Sequence, residues 1–365
     1  MLKVNLLFRK SSVSLLLMLS SAAFAIATMA TPGSAQTSSA SADLDDLLKQ
    51  GWELVEAGNY AQGIQVYERA AQLDRDNAQV RSGIGYLQAQ LGDFAGAEQS
   101  YRDALALDPS NADYHYALGY MLAQQGKNTI AADAYRNATS LAPRNVKFLT
   151  ALAVMQFRNE DYVAVQNTTQ QIKVLDAKNE KAAELQGSVL LKQGNLQDAQ
   201  TYLSNAIKQF PNNPNLRLQL AAVLIETQQT DAGLNALQTA ENLSPDDVYL
   251  KLRIGALRQQ MEDWPGAIAV YEKAIQIDPR SLEANTELGK IYLAEENYLQ
   301  AILTYRRLVE LLPEDPGAHY NLALALKGRN RKLEAKDSFL VAQKLYREQG
   351  DRSAVSRIDE LLKAL

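Results

Sequence analysis

The chain has 365 residues, of which 47% are hydrophobic and 22% are charged, and its formal net charge is −5 at pH 7. This apolar content is typical of a folded chain, and the acidic balance disfavours general nucleic-acid binding, which needs a basic face. The absence of cysteine excludes disulfides, thiol catalysis, sulfur-ligated metals and lipid attachment through cysteine.

Residues 1–35 are predicted to be an export signal rather than part of the fold. Lys3, Arg9 and Lys10 precede an apolar run over residues 13–30, and small residues that suit a signal peptidase end the segment. We therefore expect cleavage and export, to a bacterial periplasm or to a thylakoid or secretory lumen. The alternative is a retained membrane anchor formed by residues 13–30, because this run is just long enough to span a bilayer.

A flexible polar linker is predicted over residues 36–43, and a repeated pattern follows it. From Leu44 to Gln349 the chain repeats one 34-residue pattern without an insertion. A fixed period of this length predicts a stacked array. We number the positions of each repeat as columns 1 to 34. The nine predicted repeats are 44–77, 78–111, 112–145, 146–179, 180–213, 214–247, 248–281, 282–315 and 316–349.

The columns of the repeat predict two closely packed helices. Columns 8, 20 and 27 hold small residues in nearly every repeat, as at Gly119, Ala131 and Ala138. Two helices approach closely only where side chains are small, so these columns mark contact points. Column 24 is a large ring that fills the space beside them in six repeats: Tyr67, Tyr101, Tyr135, Tyr271, Tyr305 and Phe339.

Signals at the helix ends agree with this prediction. Glycine lies between the two helical halves in four repeats, where a tight turn needs a positive φ: Gly58, Gly92, Gly126 and Gly194. The last column is Asn, Asp or Ser in eight repeats, which predicts an N-cap for the next first helix. Proline at column 32 stops the preceding helix in six repeats.

These columns resemble those of the tetratricopeptide repeat. The residues that carry the resemblance are Leu118, Gly119, Ala131, Tyr135, Ala138 and Pro143 in the third repeat, with good copies in the second and eighth. Repeats 4 and 6 depart from the pattern at Val165, Thr169 and Thr230. The resemblance implies an all-α fold, a right-handed α-α superhelix of nine helical hairpins with the first helices lining its concave side.

Residues 350–365 are predicted to form a C-terminal capping helix. Val355, Ile358, Leu361, Leu362 and Leu365 make one apolar stripe on a helix that we expect Ser353 to cap. A helix of this kind covers the last repeat and exposes its charged side to water.

Catalytic residues, metal ligands and cofactors are not predicted. His115 and His319 share column 4 but lie six repeats apart, so each is expected to pack between successive repeats. Asp108, Asp176 and Asp278 recur at one turn, which favours local capping over acid–base chemistry. We therefore predict a protein that is not an enzyme and binds no small-molecule substrate.

The family resemblance implies that columns 2, 5, 6, 9, 12 and 13 face the concave groove. The candidate partner-binding residues at these columns are Trp52, Tyr86, Tyr116, Tyr120, Phe157, Lys147, Arg158, Lys181, Lys192 and Arg253. Aromatic rings and arginine are the residue types that carry interface energy. The alternative is that the rings pack between neighbouring first helices and the lysines are solvated.

Two functions remain open from the sequence. The first is a scaffold or adaptor that docks peptide segments or helices of partner proteins in its groove, in the assembly of an envelope or membrane complex. The second is a membrane-anchored structural protein that self-associates through its repeats. Contact with a membrane is expected only if the leader is retained.

Overall fold

The computed structural model describes the backbone from Thr37 to Leu365 and the side chains from Ala42 onward. The predicted signal peptide over residues 1–35 and its alternative, an anchor over residues 13–30, lie outside the described residues. From Thr37 onward, no helix is both long enough and apolar enough to cross a bilayer.

Every regular element of the described chain is an α-helix. Two helices fall within each 34-residue period, and a further helix follows the ninth. They are α1 (Thr37–Glu56), α2 (Tyr60–Leu73), α3 (Ala78–Gln90), α4 (Phe94–Leu107), α5 (Ala112–Gln124), α6 (Asn128–Leu141), α7 (Val146–Arg158), α8 (Tyr162–Leu175), α9 (Glu180–Lys192), α10 (Leu196–Gln209), α11 (Pro214–Glu226), α12 (Thr230–Leu243), α13 (Val248–Gln260), α14 (Trp264–Ile277), α15 (Leu282–Ala294), α16 (Tyr298–Leu311), α17 (Pro316–Gly328), α18 (Lys332–Glu348) and α19 (Arg352–Lys363).

The chain divides into two compact bodies. The N-terminal body ends at Asn195 and the C-terminal body begins at Leu196. In each, the first helix of a repeat packs against its second helix, and that second helix packs against the next first helix, as in α3 on α4 and α4 on α5. The predicted all-α fold of tandem helical hairpins is therefore confirmed.

The predicted contact between small residues and large rings forms the centre of the hairpins. A Cβ atom added to Gly119 would lie 2.8 Å from the ring of Tyr135, and one added to Gly255 would lie 2.6 Å from the ring of Tyr271. Both distances are shorter than ordinary van der Waals contact, so glycine is required where these rings cross the first helix. The rings themselves are almost completely buried.

Caps and turns also follow the sequence pattern. The side chain of Asn77 accepts a hydrogen bond from the backbone N–H of Val80 at 3.1 Å, and Asn111 caps α5 in the same way through Tyr114. The four glycines predicted between the helical halves have φ values from 73° to 81°. The other five repeats place a non-glycine residue in the same left-handed conformation: Glu160, Gln228, Glu262, Glu296 and Asn330.

Column 4 connects consecutive repeats within each body. The Nε2 atom of His115 lies 3.0 Å from the carbonyl oxygen of Pro109, and that of His319 lies 2.9 Å from the carbonyl oxygen of Pro313. Arg217 donates in the same way to the carbonyl of the proline six residues before it, at 2.7 Å. Each histidine thus contacts the repeat before its own, as predicted.

Two local predictions are wrong. The polar segment over residues 36–43 is not a flexible linker from Thr37 onward, because α1 begins there. The segment has no glycine or proline to stop a helix, so the first helix extends toward the N-terminus. The C-terminal helix is capped by Asp351 rather than Ser353, since the Asp351 carboxylate accepts from the N–H of Ala354 at 2.9 Å.

Candidate protein-binding surface on the first helices

A basic and aromatic contact joins two first helices of the N-terminal body. The Nζ atom of Lys147, at the start of α7, lies 4.5 Å from the centroid of the Tyr116 ring on α5. The same ring stacks on Phe148, with centroids 4.9 Å apart and planes at 24°. A cation over an aromatic face is attracted by the ring quadrupole, so this contact positions the ammonium group of Lys147.

Three more of the predicted basic residues lie on α7 and α9, which contact each other. Arg158 is exposed at the end of α7, and Lys192 is half-buried at the end of α9. Lys181 donates from Nζ to the Glu184 carboxylate at 2.9 Å. Glu184 therefore compensates one of the positive charges that this pair of helices carries.

Burial affects two of these lysines. It lowers the pKa of the Lys147 ammonium, while the negative charge of Asp113 acts in the opposite direction. Burial likewise lowers the pKa of Lys192, opposed by Glu160. Partial desolvation strengthens the interaction of such a group with an incoming carboxylate, because less water has to be displaced.

Three predicted aromatic residues keep part of their surface accessible. Trp52 on α1 is 37% exposed. Tyr86 on α3 is half-buried, and burial raises the pKa of its hydroxyl, with Tyr60 and Glu56 adding to the shift. Phe157 on α7 is half-buried and lies 5.9 Å from the ring of Tyr162.

The expectation that Tyr116 and Tyr120 expose their rings in the groove is wrong. Each is only 4% exposed, and both belong to the hydrophobic core of the N-terminal body. Tyr116 is held between Phe148 and Tyr135, and burial raises the pKa of its hydroxyl to about 12. The alternative, packing between neighbouring first helices, therefore holds for Tyr116.

Arg253 belongs to the C-terminal body. Its Nη1 atom donates to the side-chain oxygen of Asn215 at 2.8 Å, which joins α13 to α11. Its guanidinium carbon lies 5.6 Å from the centroid of Tyr249, a ring that is 38% exposed. Asn215 was not among the predicted residues, although it occupies column 2, one of the columns assigned to this face.

The acidic groups at the turns serve as local caps. The Asp108 carboxylate accepts from the side chains of Ser110 and Asn111, and the Asp176 carboxylate accepts from the backbone N–H of Lys178 and the side chain of Asn179. Within residues 37–365, no group of three or more acidic or histidine side chains is arranged to hold a metal ion.

Three family profiles match the chain over most of its length. Two described as tetratricopeptide repeat match residues 48–112, 84–128 and 116–164, and residues 190–253. One described as TPR repeat matches residues 255–295 and 289–328.

Individual relatives cover less of the chain or show low identity. A TPR repeat-containing protein of Picosynechococcus sp. is 43% identical over 51 residues, which is 14% of this chain and 13% of that protein. The alignment thus spans much less than two thirds of that relative.

Two solved structures resemble the fold. One is a tetratricopeptide repeat protein from Parabacteroides merdae, at 15% identity and a TM-score of 0.59, with 68% of this chain and 98% of that chain covered. The other is yeast Tom70, at 17% identity and a TM-score of 0.56, with 91% of this chain and 70% of that chain covered. At these identities they show the fold alone. With profiles that together match more than half of its residues, the chain belongs to the tetratricopeptide repeat family.

Proposed function

We propose that this protein is a non-catalytic scaffold that binds a peptide segment or helix of a partner protein on the first helices α5, α7 and α9. The observation that carries the proposal is the Lys147 ammonium over the ring of Tyr116, which itself stacks on Phe148. Arg158 and Lys192 extend the positive charge along α7 and α9, whereas Lys181 is paired with Glu184.

The chemistry of these residues favours a partner segment that carries acidic side chains. The whole chain has a net charge of −5, so basic side chains gathered on two neighbouring helices stand out from the rest. Charge complementarity of this kind speeds association and excludes wrong partners. The half-buried ring of Phe157, on α7 directly before Arg158, supplies an apolar contact of the type found in binding hot spots.

The setting that we propose is the assembly of an envelope or membrane complex outside the cytoplasm. The support for it is the signal-like leader in the sequence, with its basic start and apolar run. Packed helical hairpins suit such a task, because a binding surface on α5, α7 and α9 is already formed before the partner arrives.

The test compares two charge-reversed variants with the same change in net charge. Arg158→Glu/Lys192→Glu reverses two charges of the proposed surface, whereas Lys173→Glu/Lys178→Glu reverses two exposed charges on α8 and the turn after it. Affinity capture from the exported fraction, quantified by mass spectrometry, is the measurement. We expect the first variant to lose a partner by about tenfold or more, and the second to retain it.

Equal recovery of every partner by the two variants would contradict this surface. Both proteins must keep the wild-type helical circular dichroism for the comparison to count. The alternative function, self-association of a membrane-held array, predicts a different result: an intact leader in the mature protein and a molecular size that rises with concentration.

A further inference from the structure

The second helices of the last two repeats expose more large apolar side chains than any other two consecutive second helices of the described chain. Five of them are between 41% and 81% exposed: Leu299 and Leu303 on α16, and Leu333, Leu340 and Val341 on α18. Leu333 is the most exposed at 81%. Folded proteins rarely expose several large apolar side chains close together, and such a region often marks an interaction site.

The other repeats show that the fold does not need these residues. Leu299 and Leu333 occupy column 18, where the remaining repeats carry Ala61, Ala95, Thr129, Val163, Gln197, Asp231 and Pro265. Leu303 occupies column 22, where every other repeat has Gln, Asp, Asn, Thr or Ala. Column 18 is small or polar in five of the seven other repeats, and column 22 is small or polar in all of the eight others. The repeat pattern therefore does not require leucine at these positions of repeats 8 and 9.

We call these five exposed side chains on α16 and α18 the outer patch. Leu299 and Leu303 are four residues apart on α16, and Leu333 and Leu340 are seven apart on α18, so each pair shares a helix face. The guanidinium of Arg306 on α16 donates to the carboxylate of Glu334 on α18 at 2.9 Å, which holds the two helices side by side.

Basic side chains surround the outer patch. Those exposed on the same two helices are Arg306, Arg307, Lys332, Lys336, Lys344 and Arg347. The acidic side chains beside them are Glu310, Glu334, Asp337 and Glu348. Glu334 is paired with Arg306 and Arg331, and Glu348 is paired with Lys344. Helices α16 and α18 thus carry six basic against four acidic side chains, a net positive charge on a chain that is net negative.

We propose that the outer patch docks on an anionic phospholipid surface. Leucines that project from a helix face between lysines and arginines enter the boundary between headgroups and acyl chains, and the long basic side chains reach the lipid phosphates. A second copy of the chain fits less well, because a symmetric contact through this patch would bring the basic side chains of both copies together. The proposal is independent of partner binding on α5, α7 and α9.

The absence of cysteine allows a local test on the full chain. Asp337→Cys places a single thiol within the outer patch, and Asp231→Cys places one at an exposed column-18 position on α12. Each change removes one carboxylate, so the two proteins are matched in charge. A polarity-sensitive fluorophore attached to the thiol then reports whether that position enters the lipid. This readout is local, so it does not depend on membrane contact through the N-terminal leader.

The expected result is specific for position and lipid. With vesicles in which one lipid in three is phosphatidylglycerol and the rest is phosphatidylcholine, the probe at position 337 shifts to the blue and is quenched by a nitroxide lipid. The probe at position 231 does not respond, and pure phosphatidylcholine vesicles give no shift at either site. Leu333→Gln/Leu340→Gln abolishes the response at 337, whereas Val163→Gln, which removes an exposed apolar residue from α8, leaves it unchanged.

Three results would overturn the proposal. The first is an unchanged spectrum at position 337 on anionic vesicles. The second is an equal response at positions 337 and 231, which would indicate general adsorption. The third is a concentration-dependent shift at 337 without vesicles, which would assign the outer patch to a second copy of the chain.

Discussion

The tyrosines of column 24 show what a repeat pattern determines and what it leaves to single neighbours. Their rings fill the same position beside column 8 in several repeats, as the sequence predicts. Their hydroxyl groups differ, because the hydroxyl of Tyr271 donates to the side-chain oxygen of Gln259 at 3.0 Å. In the described chain the buried hydroxyl of Tyr305 has no hydrogen-bond partner, since Leu293 stands where Gln259 does.

This difference predicts opposite costs for one substitution. Tyr271→Phe should lower the free energy of unfolding by about 1 kcal/mol, because it removes a hydrogen bond. Tyr305→Phe should leave it unchanged or raise it slightly, because it removes a buried hydroxyl to which no atom of the described residues is hydrogen-bonded. Urea unfolding followed by circular dichroism measures both. A larger loss for Tyr305→Phe than for Tyr271→Phe would contradict the assignment of the two hydroxyls.

The candidate site could be predicted only in part at this scale. The columns indicated Lys147 as a candidate residue of the groove, yet they did not show that Lys147 lies over the Tyr116 ring or that Tyr116 and Tyr120 are buried. The burial of Tyr116 depends on Phe148, a column-3 residue of the next repeat that stacks on it. Periodicity describes the average neighbour of a column and therefore does not identify such a pair.

At the scale of the structural elements, the turn between the two helices of a repeat has the same backbone geometry whether or not it contains glycine. Column 15 adopts a positive φ in every repeat, with glycine in four of them and Glu, Gln or Asn in the other five. Glycine signalled the turn in the sequence, whereas Glu160, Glu262 and Glu296 gave no such signal. Their conformation is imposed by the two helices that the turn connects, at a local cost in strain.

Relieving that strain should stabilise the protein. Glu262 has a φ of 58°, so Glu262→Gly is expected to raise the free energy of unfolding by about 1 kcal/mol, even though glycine loses more entropy on folding. The matched reverse change is Gly92→Ala, where φ is 81°. A Cβ added there meets no atom of residues 37–365 within 4 Å, so the change affects only the backbone. It should lower the free energy of unfolding by a similar amount.

Thermal unfolding of the two variants and of the wild type tests whether the positive φ at Glu262 is strained. The melting temperature should rise for Glu262→Gly and fall for Gly92→Ala. A fall for both would mean that the side chain of Glu262 makes a stabilising contact that outweighs the strain of its backbone.

At the scale of the whole molecule, the fold could be predicted because the same 34-residue pattern occurs nine times. The small residues, large rings, N-caps and turn residues occupy the same columns in most of the nine repeats. The departures from these columns in repeats 4 and 6 therefore did not hide the pattern. Features that occur once were not predictable in this way. The outer patch is one, since α16 and α18 depart from the columns at four leucines and one valine, and only the packed helices show that these side chains are exposed.

Stacking of repeats also predicts how far the effect of a destabilising substitution extends along the chain. Ile358 on α19 is fully buried and packs in the same core cluster as Leu326 and Phe339 of the last repeat. Ile358→Asn should cost about 2–5 kcal/mol locally, because it removes an apolar side chain and buries a polar one. Each repeat contacts only its neighbours, so the loss is expected to stay near the C-terminal end.

Hydrogen exchange by mass spectrometry tests this directly within the C-terminal body. Exchange should accelerate strongly in α17, α18 and α19 and hardly at all in α11 and α12, whose buried residues belong to a separate core cluster. Ser356→Asn changes an exposed residue of the same helix and should leave exchange at the wild-type rate. If Ile358→Asn accelerated exchange equally from α11 to α19, the body would unfold as one cooperative unit. Nearest-neighbour packing would then be the wrong description of its stability.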